Sequence, residues 1–267
     1  MDVPVDLAGD LAGEQDALDA IVAALSTEQW RTPTPSPGWT VADQIGHLAY
    51  FDAAATLAMT DQDAFQAHRL ELLATFGDAD AVEGITLAAY RAMDPDELLA
   101  TWRCGRVDLT TAAVSVADDA RIEWYGPSMS KRSFLTARLM EAWAHGQDVV
   151  DAVGAERKAT DRLRHVAQLG VITRSWSYRN RGREVPDGEV RVELAAPSGE
   201  AWTWGDADLA DSVAGPAEDF CLVVTQRRHV DDTRLAVRGP LAREWMECAQ
   251  AFAGPATRGP AARRMRA

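Results

Sequence analysis

Three side chains able to hold a proton or a metal ion stand at i, i+4 and i+7 in the stretch MEAWAHGQDVV, residues 140–150: Glu141, His145 and Asp148. At 3.6 residues per turn, a helix places these positions within about 40° of one another, in one stripe. Leu135, Leu139, Trp143, Val149 and Val150 supply apolar surface around that stripe, and a carboxylate buried there needs a partner. A divalent cation would satisfy Glu141 and His145 together. Catalytic zinc takes three protein ligands and keeps a fourth position open, so a further donor must come from another segment. His47, in VADQIGHLAYF among Ile45, Leu48 and Phe51, is the candidate. The same Glu/His spacing also describes an ordinary hydrogen bond on a helix surface, and residue types alone leave both readings open. His68 and His165 lie in polar helical stretches and are expected at the surface; His229 belongs to QRRHVDD. None of these forms a second cluster.

The elements that must position these groups are helical over the first two thirds of the chain. Leu7, Leu11, Leu18, Ile21, Val22 and Leu25 recur near a 3.6-residue period, which predicts one long amphipathic helix over 7–30. The three prolines of RTPTPSPGW break it. Thr40 with Asp43 three residues on then predicts a capped helix carrying His47. Further helical pieces follow over 61–92. Asp94 before Pro95 starts another helix, WYGPSMS is a loop, and Ser130 or Ser133 caps the helix of Glu141 and His145. Thr160 is read as the cap of a helix over 161–180 that ends at Gly182.

Beyond GREVPDG the periodicity changes. EVRVELAAP and EAWTWG alternate at period 2 across SG, a hairpin signal. AEDFCLVVTQRR then reads as helix, DTRLAVRG as strand and PLAREWMECAQAFAG as helix. The expected organisation is a helical domain over 1–183, a small α+β domain over 184–254 and a basic, disordered tail over 255–267.

Composition bounds the partners. A net charge of −14 over 267 residues argues against nucleic acid, whose phosphates need a concentrated basic surface. No apolar run approaches the ~20 residues of a membrane span, and the acidic start carries no secretion signal. Cys104, Cys221 and Cys248 form no CxxC pair, as in a reducing compartment. A cytoplasmic protein, monomeric or homodimeric, is the expectation.

PSPGWTVADQIGHLAYFDAAA followed by ARLMEAWAHGQDVVDAVG resembles the mycothiol-dependent maleylpyruvate isomerase family, within the DinB-like superfamily of metal-binding four-helix bundles. The whole chain looks like an actinobacterial metal-binding subfamily of it. The likeness covers residues ~1–180 as the bundle and extends more loosely to the α+β segment. It implies a mainly α fold with His47, Glu141 and His145 as three metal ligands. The metal implied is zinc, with nickel, iron or manganese as alternatives. Asp148, one turn on, is then either a carboxylate that orients a bound histidine or a substrate contact, a plain solvent-facing Asp being the alternative.

An open metal position can polarise a carbonyl, lower the pKa of bound water or hold a thiolate. In the isomerases the implied thiol is mycothiol, which adds to a conjugated double bond, permits rotation and leaves. Substrate carboxylates call for a cation, and arginine pairs with them through two bonds. Arg227 and Arg228, or Lys131 and Arg132, are the candidates, and ordinary surface charge is the alternative for each pair. Trp39 and Trp143, with Trp124, Trp202 and Trp204, are candidate walls of a cofactor pocket, and Tyr125 a candidate acid or oxyanion donor. Three functions stay open: a thiol-dependent isomerase or S-transferase, a thiol-independent metal-dependent hydrolase, cyclase or isomerase, and a non-catalytic metal-binding module.

Overall fold

The computed structural model describes residues 6–262, which divide into two compact units between Arg157 and Lys158. In the first, α1 (Leu7–Val22), α2 (Val41–Thr60), α3 (Gln62–Leu73), α4 (Ala79–Thr86), α5 (Ala88–Arg91), α6 (Pro95–Ser115) and α7 (Lys131–Val153) follow one another. Helices α1, α2, α6 and α7 pack as a four-helix bundle. Between α6 and α7, β1 (Arg121–Ile122) and β2 (Met129–Ser130) pair antiparallel around the loop that carries Trp124 and Tyr125. The core joins Leu18 and Val22 of α1, Ile45 and Leu48 of α2, Trp102 of α6 and Val149 of α7.

The helix starts that matter for the site are set locally. Thr40 accepts from the Asp43 amide while the Asp43 carboxylate accepts from the Thr40 amide, closing the capping box at α2. Asp94 closes another at α6, with Pro95 at its first position, and Ser130 caps α7 through the Ser133 amide. The first helix stops at Val22, short of the expected 7–30. Ser26 and Gln29 there exchange side-chain to backbone hydrogen bonds (2.9 and 3.3 Å) that start a separate 3-10 turn at Gln29–Arg31.

In the second unit, α8 (Leu163–Ile172) and α9 (Arg174–Arg179) precede β3 (Arg191–Ala195), β4 (Ala201–Trp204) and β5 (Ser212–Pro216). Then come α10 (Ala217–Val224), β6 (Ala236–Arg238) and α11 (Pro240–Cys248). The sheet order is β4-β3-β5-β6, with β3 and β5 parallel and the outer pairs antiparallel. The 161–180 helix is divided at Thr173, whose hydroxyl bonds back to the Leu169 and Gly170 carbonyls. Its start at Leu163 has no side-chain cap, and Thr160 contributes only its carbonyl. Because α8 packs on α10 and α9 on α11, the compact units divide at Arg157–Lys158 rather than near 183–188. Strand β5 escaped the sequence reading because it ends in Gly-Pro. Gly215 has φ +147°, and a Cβ there would stand 3.1 Å from the Arg234 carbonyl oxygen, so the position takes glycine. In the described part of the expected tail, Gln226 and Gln250 hydrogen-bond Thr257. Residues 263–267 of that tail lie outside the described residues.

A buried ion pair joins three helices of the bundle. Asp52 of α2, 1% exposed, accepts from Arg138 of α7 (2.8 and 3.2 Å) and from Gln15 of α1 (2.8 Å). Burial pushes its carboxyl up while the Arg138 guanidinium beside it pulls the other way. Removing one partner of a buried pair leaves the other charge stranded, at a cost of about 3–5 kcal/mol. Asp52→Ala is therefore expected to lower the unfolding free energy by that amount in urea titrations. Asp118→Ala, which removes the solvent-exposed partner of Lys131, should leave the midpoint where it was.

Candidate metal centre

His47 lies two turns into α2, behind the capping box, and Glu141 and His145 lie one turn apart on α7. The packing of α2 against α7 brings the three together. Glu141 Oε2 is 3.4 Å from His47 Nε2 and 3.1 Å from His145 Nε2. One donor atom from each side chain falls within 4.8 Å of the others, and this is the His/Cys/Asp/Glu group of that kind among the described residues. The two imidazole rings are 4.2 Å apart between centroids. Side-chain exposures of 16%, 13% and 23% for His47, His145 and Glu141 make the cluster sheltered but not sealed, as a site that admits a ligand must be.

Burial, with His145 beside it, holds His47 down at about 4. Burial pushes the Glu141 carboxyl up, but the contacts with His145 and His47 outweigh it and hold the group well below its usual range. An uncharged imidazole and an ionised carboxylate are the forms that coordinate a cation. Two ring nitrogens and one carboxylate oxygen suit zinc, nickel, iron or manganese in donor type, so the residues present fit the group that the resemblance implies.

Around the cluster stand residues of both kinds, foreseen and not. The Trp39 ring packs 5.2 Å from that of His47 and 6.0 Å from that of His145, and Phe51 lies 4.7 Å from His47 on α2. Trp143, by contrast, lies about 200° around α7 from Glu141. It is 3% exposed, with the Arg157 guanidinium 5.1 Å over its ring, so it belongs to the core of the bundle rather than to the wall beside the cluster. Asp148 is not solvent-facing: at 3% exposure, its Oδ2 accepts from Ser36 Oγ (3.1 Å) and ties down the proline-rich loop. The acceptor at His145 Nδ1 is Gln44 of α2, at 2.6 Å. Gln44 was not singled out in the sequence, although an amide in the apolar QIGHLAYF face is a visible signal.

Tyr125 meets the ring of Phe51 edge-on at 5.8 Å, and its hydroxyl is 2.8 Å from His68 Nε2. Burial pushes that hydroxyl up and His68 down. His68 is thus half-buried among aromatic rings, not at the surface as its polar stretch suggested. Lys131 is committed to the Val116 carbonyl and Asp118. Arg227 and Arg228 follow α10 in the second unit, where their guanidinium groups donate to the Thr225 and Arg227 carbonyls.

These features define a DinB-like four-helix bundle followed by a small α+β unit. The sequence profile described as the mycothiol maleylpyruvate isomerase N-terminal domain matches residues 11–150, just over half the chain, and the chain belongs to that family. A second profile, described as wyosine base formation, matches residues 186–238. The uncharacterized proteins MT0041 and Rv0036c, from two strains of Mycobacterium tuberculosis, are each 45% identical over 256 residues, covering 96% of this chain and 98% of theirs. Among solved structures, the mycothiol-dependent maleylpyruvate isomerase aligns with a TM-score of 0.57 at 16% identity, over 88% of this chain and 94% of that one. A histidine-to-alanine mutant of it aligns equally well, at 15% identity. No helix of the described residues is long and apolar enough to cross a membrane.

A ligand that binds only the folded state stabilises it by about 2.7 kcal/mol at a hundredfold excess over its Kd. At about 2–4 °C per kcal/mol for a chain of this size, zinc added to metal-free protein should raise the thermal midpoint by about 5–10 °C. The same addition should leave His47→Ala and Glu141→Gln unmoved, as read by differential scanning fluorimetry.

Proposed function

We propose that the chain is a metal-dependent enzyme of small-molecule chemistry, a thiol-dependent isomerase or S-transferase with mycothiol as its thiol. The observation that carries this reading is the convergence of one donor atom each from His47, His145 and Glu141 within 4.8 Å of one another, under an aromatic wall. Family membership and the fold shared with a mycothiol-dependent maleylpyruvate isomerase support the choice of thiol. A divalent cation held by His47, Glu141 and His145 supplies Lewis acidity and a positive charge for a thiolate.

The remaining work falls to the chain itself. Trp39 and Phe51, both packed against the His47 ring, present apolar ring surface that excludes water and receives the body of a conjugated substrate. The Tyr125 hydroxyl, raised by burial and backed by His68, keeps its proton at neutral pH. It serves as a hydrogen-bond donor to an oxygen on which charge develops. Asp148 acts through Ser36, by holding the loop that carries Trp39. The reading places the protein in the cytoplasm, where a reduced thiol persists.

The test is turnover of maleylpyruvate, or of an activated electrophile, by the purified protein with mycothiol. Activity should need both the thiol and the metal. Loss of several kcal/mol of charge stabilisation should cut kcat/KM at least about 100-fold in His47→Ala. Full turnover in thiol-free buffer would replace the isomerase reading with that of a thiol-independent metal-dependent hydrolase, cyclase or isomerase.

A further inference from the structure

The proline-rich loop does more than wall the cluster, and its hydrogen bonds can be followed proton by proton. Thr34 has one hydroxyl proton, and it is given to the Trp39 carbonyl at 2.9 Å. Toward Gln44, 2.8 Å away, Thr34 Oγ1 can therefore only accept, which makes the Gln44 atom facing it the amide nitrogen. The amide oxygen then faces His145 Nδ1 at 2.6 Å. An amide oxygen cannot donate, so the hydrogen of this contact sits on His145 Nδ1. With Nδ1–H so committed, Nε2 is the ring atom turned toward Glu141 Oε2, 3.1 Å away. A ring lone pair and a carboxylate oxygen repel at that distance unless a proton or a metal cation lies between them.

Gln44 is 0% exposed, and its burial among apolar neighbours leaves it no water to turn to. Three further contacts hold the loop in place. Ser36 donates to Asp148 of α7 (3.1 Å), and the Trp39 indole donates to Glu83 of α4 (2.8 Å). Thr40 is locked to Asp43 at the start of α2. The loop, α2, α4 and α7 thus converge on one imidazole orientation.

We propose that Gln44 is a positioning residue that holds His145 as the Nδ1–H tautomer with Nε2 directed to the cation, and that Thr34 fixes which way Gln44 faces. The inference rests on the metal-centre reading and adds the device that prepares the site before any metal arrives. Metal-bound histidines owe affinity to the acceptor on their other nitrogen, and its loss costs about 10–100-fold.

The test uses the full chain and zinc itself, with affinity read by competition against a chromophoric chelator and folding checked by circular dichroism. Gln44→Leu, of similar volume but with no acceptor, should weaken zinc binding about 10–100-fold. Gln44→Glu, which restores an acceptor for Nδ1–H, should return affinity to within a few-fold of the original. Thr34→Val, which frees the amide to turn, should weaken it by a smaller factor. Long-range nitrogen–proton correlation spectra of the zinc-loaded protein should show His145 with its hydrogen on Nδ1. Unchanged affinity in Gln44→Leu while the wild type binds zinc, or a zinc-loaded His145 with no hydrogen on Nδ1, overturns the assignment and leaves the metal centre standing. Failure of the wild type to bind zinc, nickel, iron or manganese overturns the metal centre and this inference with it.

Discussion

A carboxylate at 1% exposure has to be met by charge or not be ionised at all, and Asp52 is met from two other helices. Arg138 reaches it from α7 and Gln15 from α1. Asp52 stands five residues after His47 on α2, and Arg138 three residues before Glu141 on α7. The same pairing that satisfies the buried charge therefore sets how far α7 is slid along α2. A slip of one helical turn, 5.4 Å, would break the pair and carry Glu141 and His145 out of reach of His47. Apolar packing of Ile45, Leu48 and Val149 gives these helices a reason to associate. It is non-directional and does not choose among registers; the ion pair does.

The second constraint comes from the loop between α1 and α2. Its three prolines cannot continue a helix, and the backbone they leave extended bridges Pro33 to Thr40. This bends the chain so that Thr34, Ser36 and Trp39 face three different helices. A chemically ordinary His/Glu/His set thereby acquires a defined orientation on one side and an aromatic wall on the other. Arg91 ties the same region together from below by bridging Asp43 and Glu83, and hydrogen bonds to those carboxylates raise its own pKa.

Much of this was legible in the sequence, and what was legible is local. Thr40 with Asp43, Asp94 with Pro95 and Ser130 with Ser133 announce their helix starts because a cap is written within four residues. The stripe of Glu141 and His145 follows from helical spacing, and the apolar helix of His47 offered the third donor, which the resemblance supported; the packing of α2 on α7 brings the three side chains together. What could not be read depends on partners far along the chain. Gln44 meets a residue 101 positions away and Asp52 one 86 positions away. Nothing in their own neighbourhoods says so, beyond a polar side chain in an apolar run. Asp148 has the right spacing to serve His145, yet it is Ser36, 112 positions back, that it meets. Strand β5 was hidden by a glycine and a proline that weaken any local strand signal, while the β3 pairing that stabilises it comes from elsewhere. The division of the compact units at Arg157 was out of reach for the same reason: helicity is local, but the packing of α8 on α10 is not.

X-ray absorption at the metal edge of the purified protein tests the central claim most directly, because it reads the ligands rather than their consequences. The account predicts one divalent metal per chain, bound by two imidazole nitrogens and carboxylate oxygen at about 2.0–2.2 Å. It also predicts that the metal, and its imidazole scattering, is lost in His47→Ala. A protein that holds no metal after expression in metal-supplemented medium, or a bound metal whose shell is unchanged by that substitution, would contradict it.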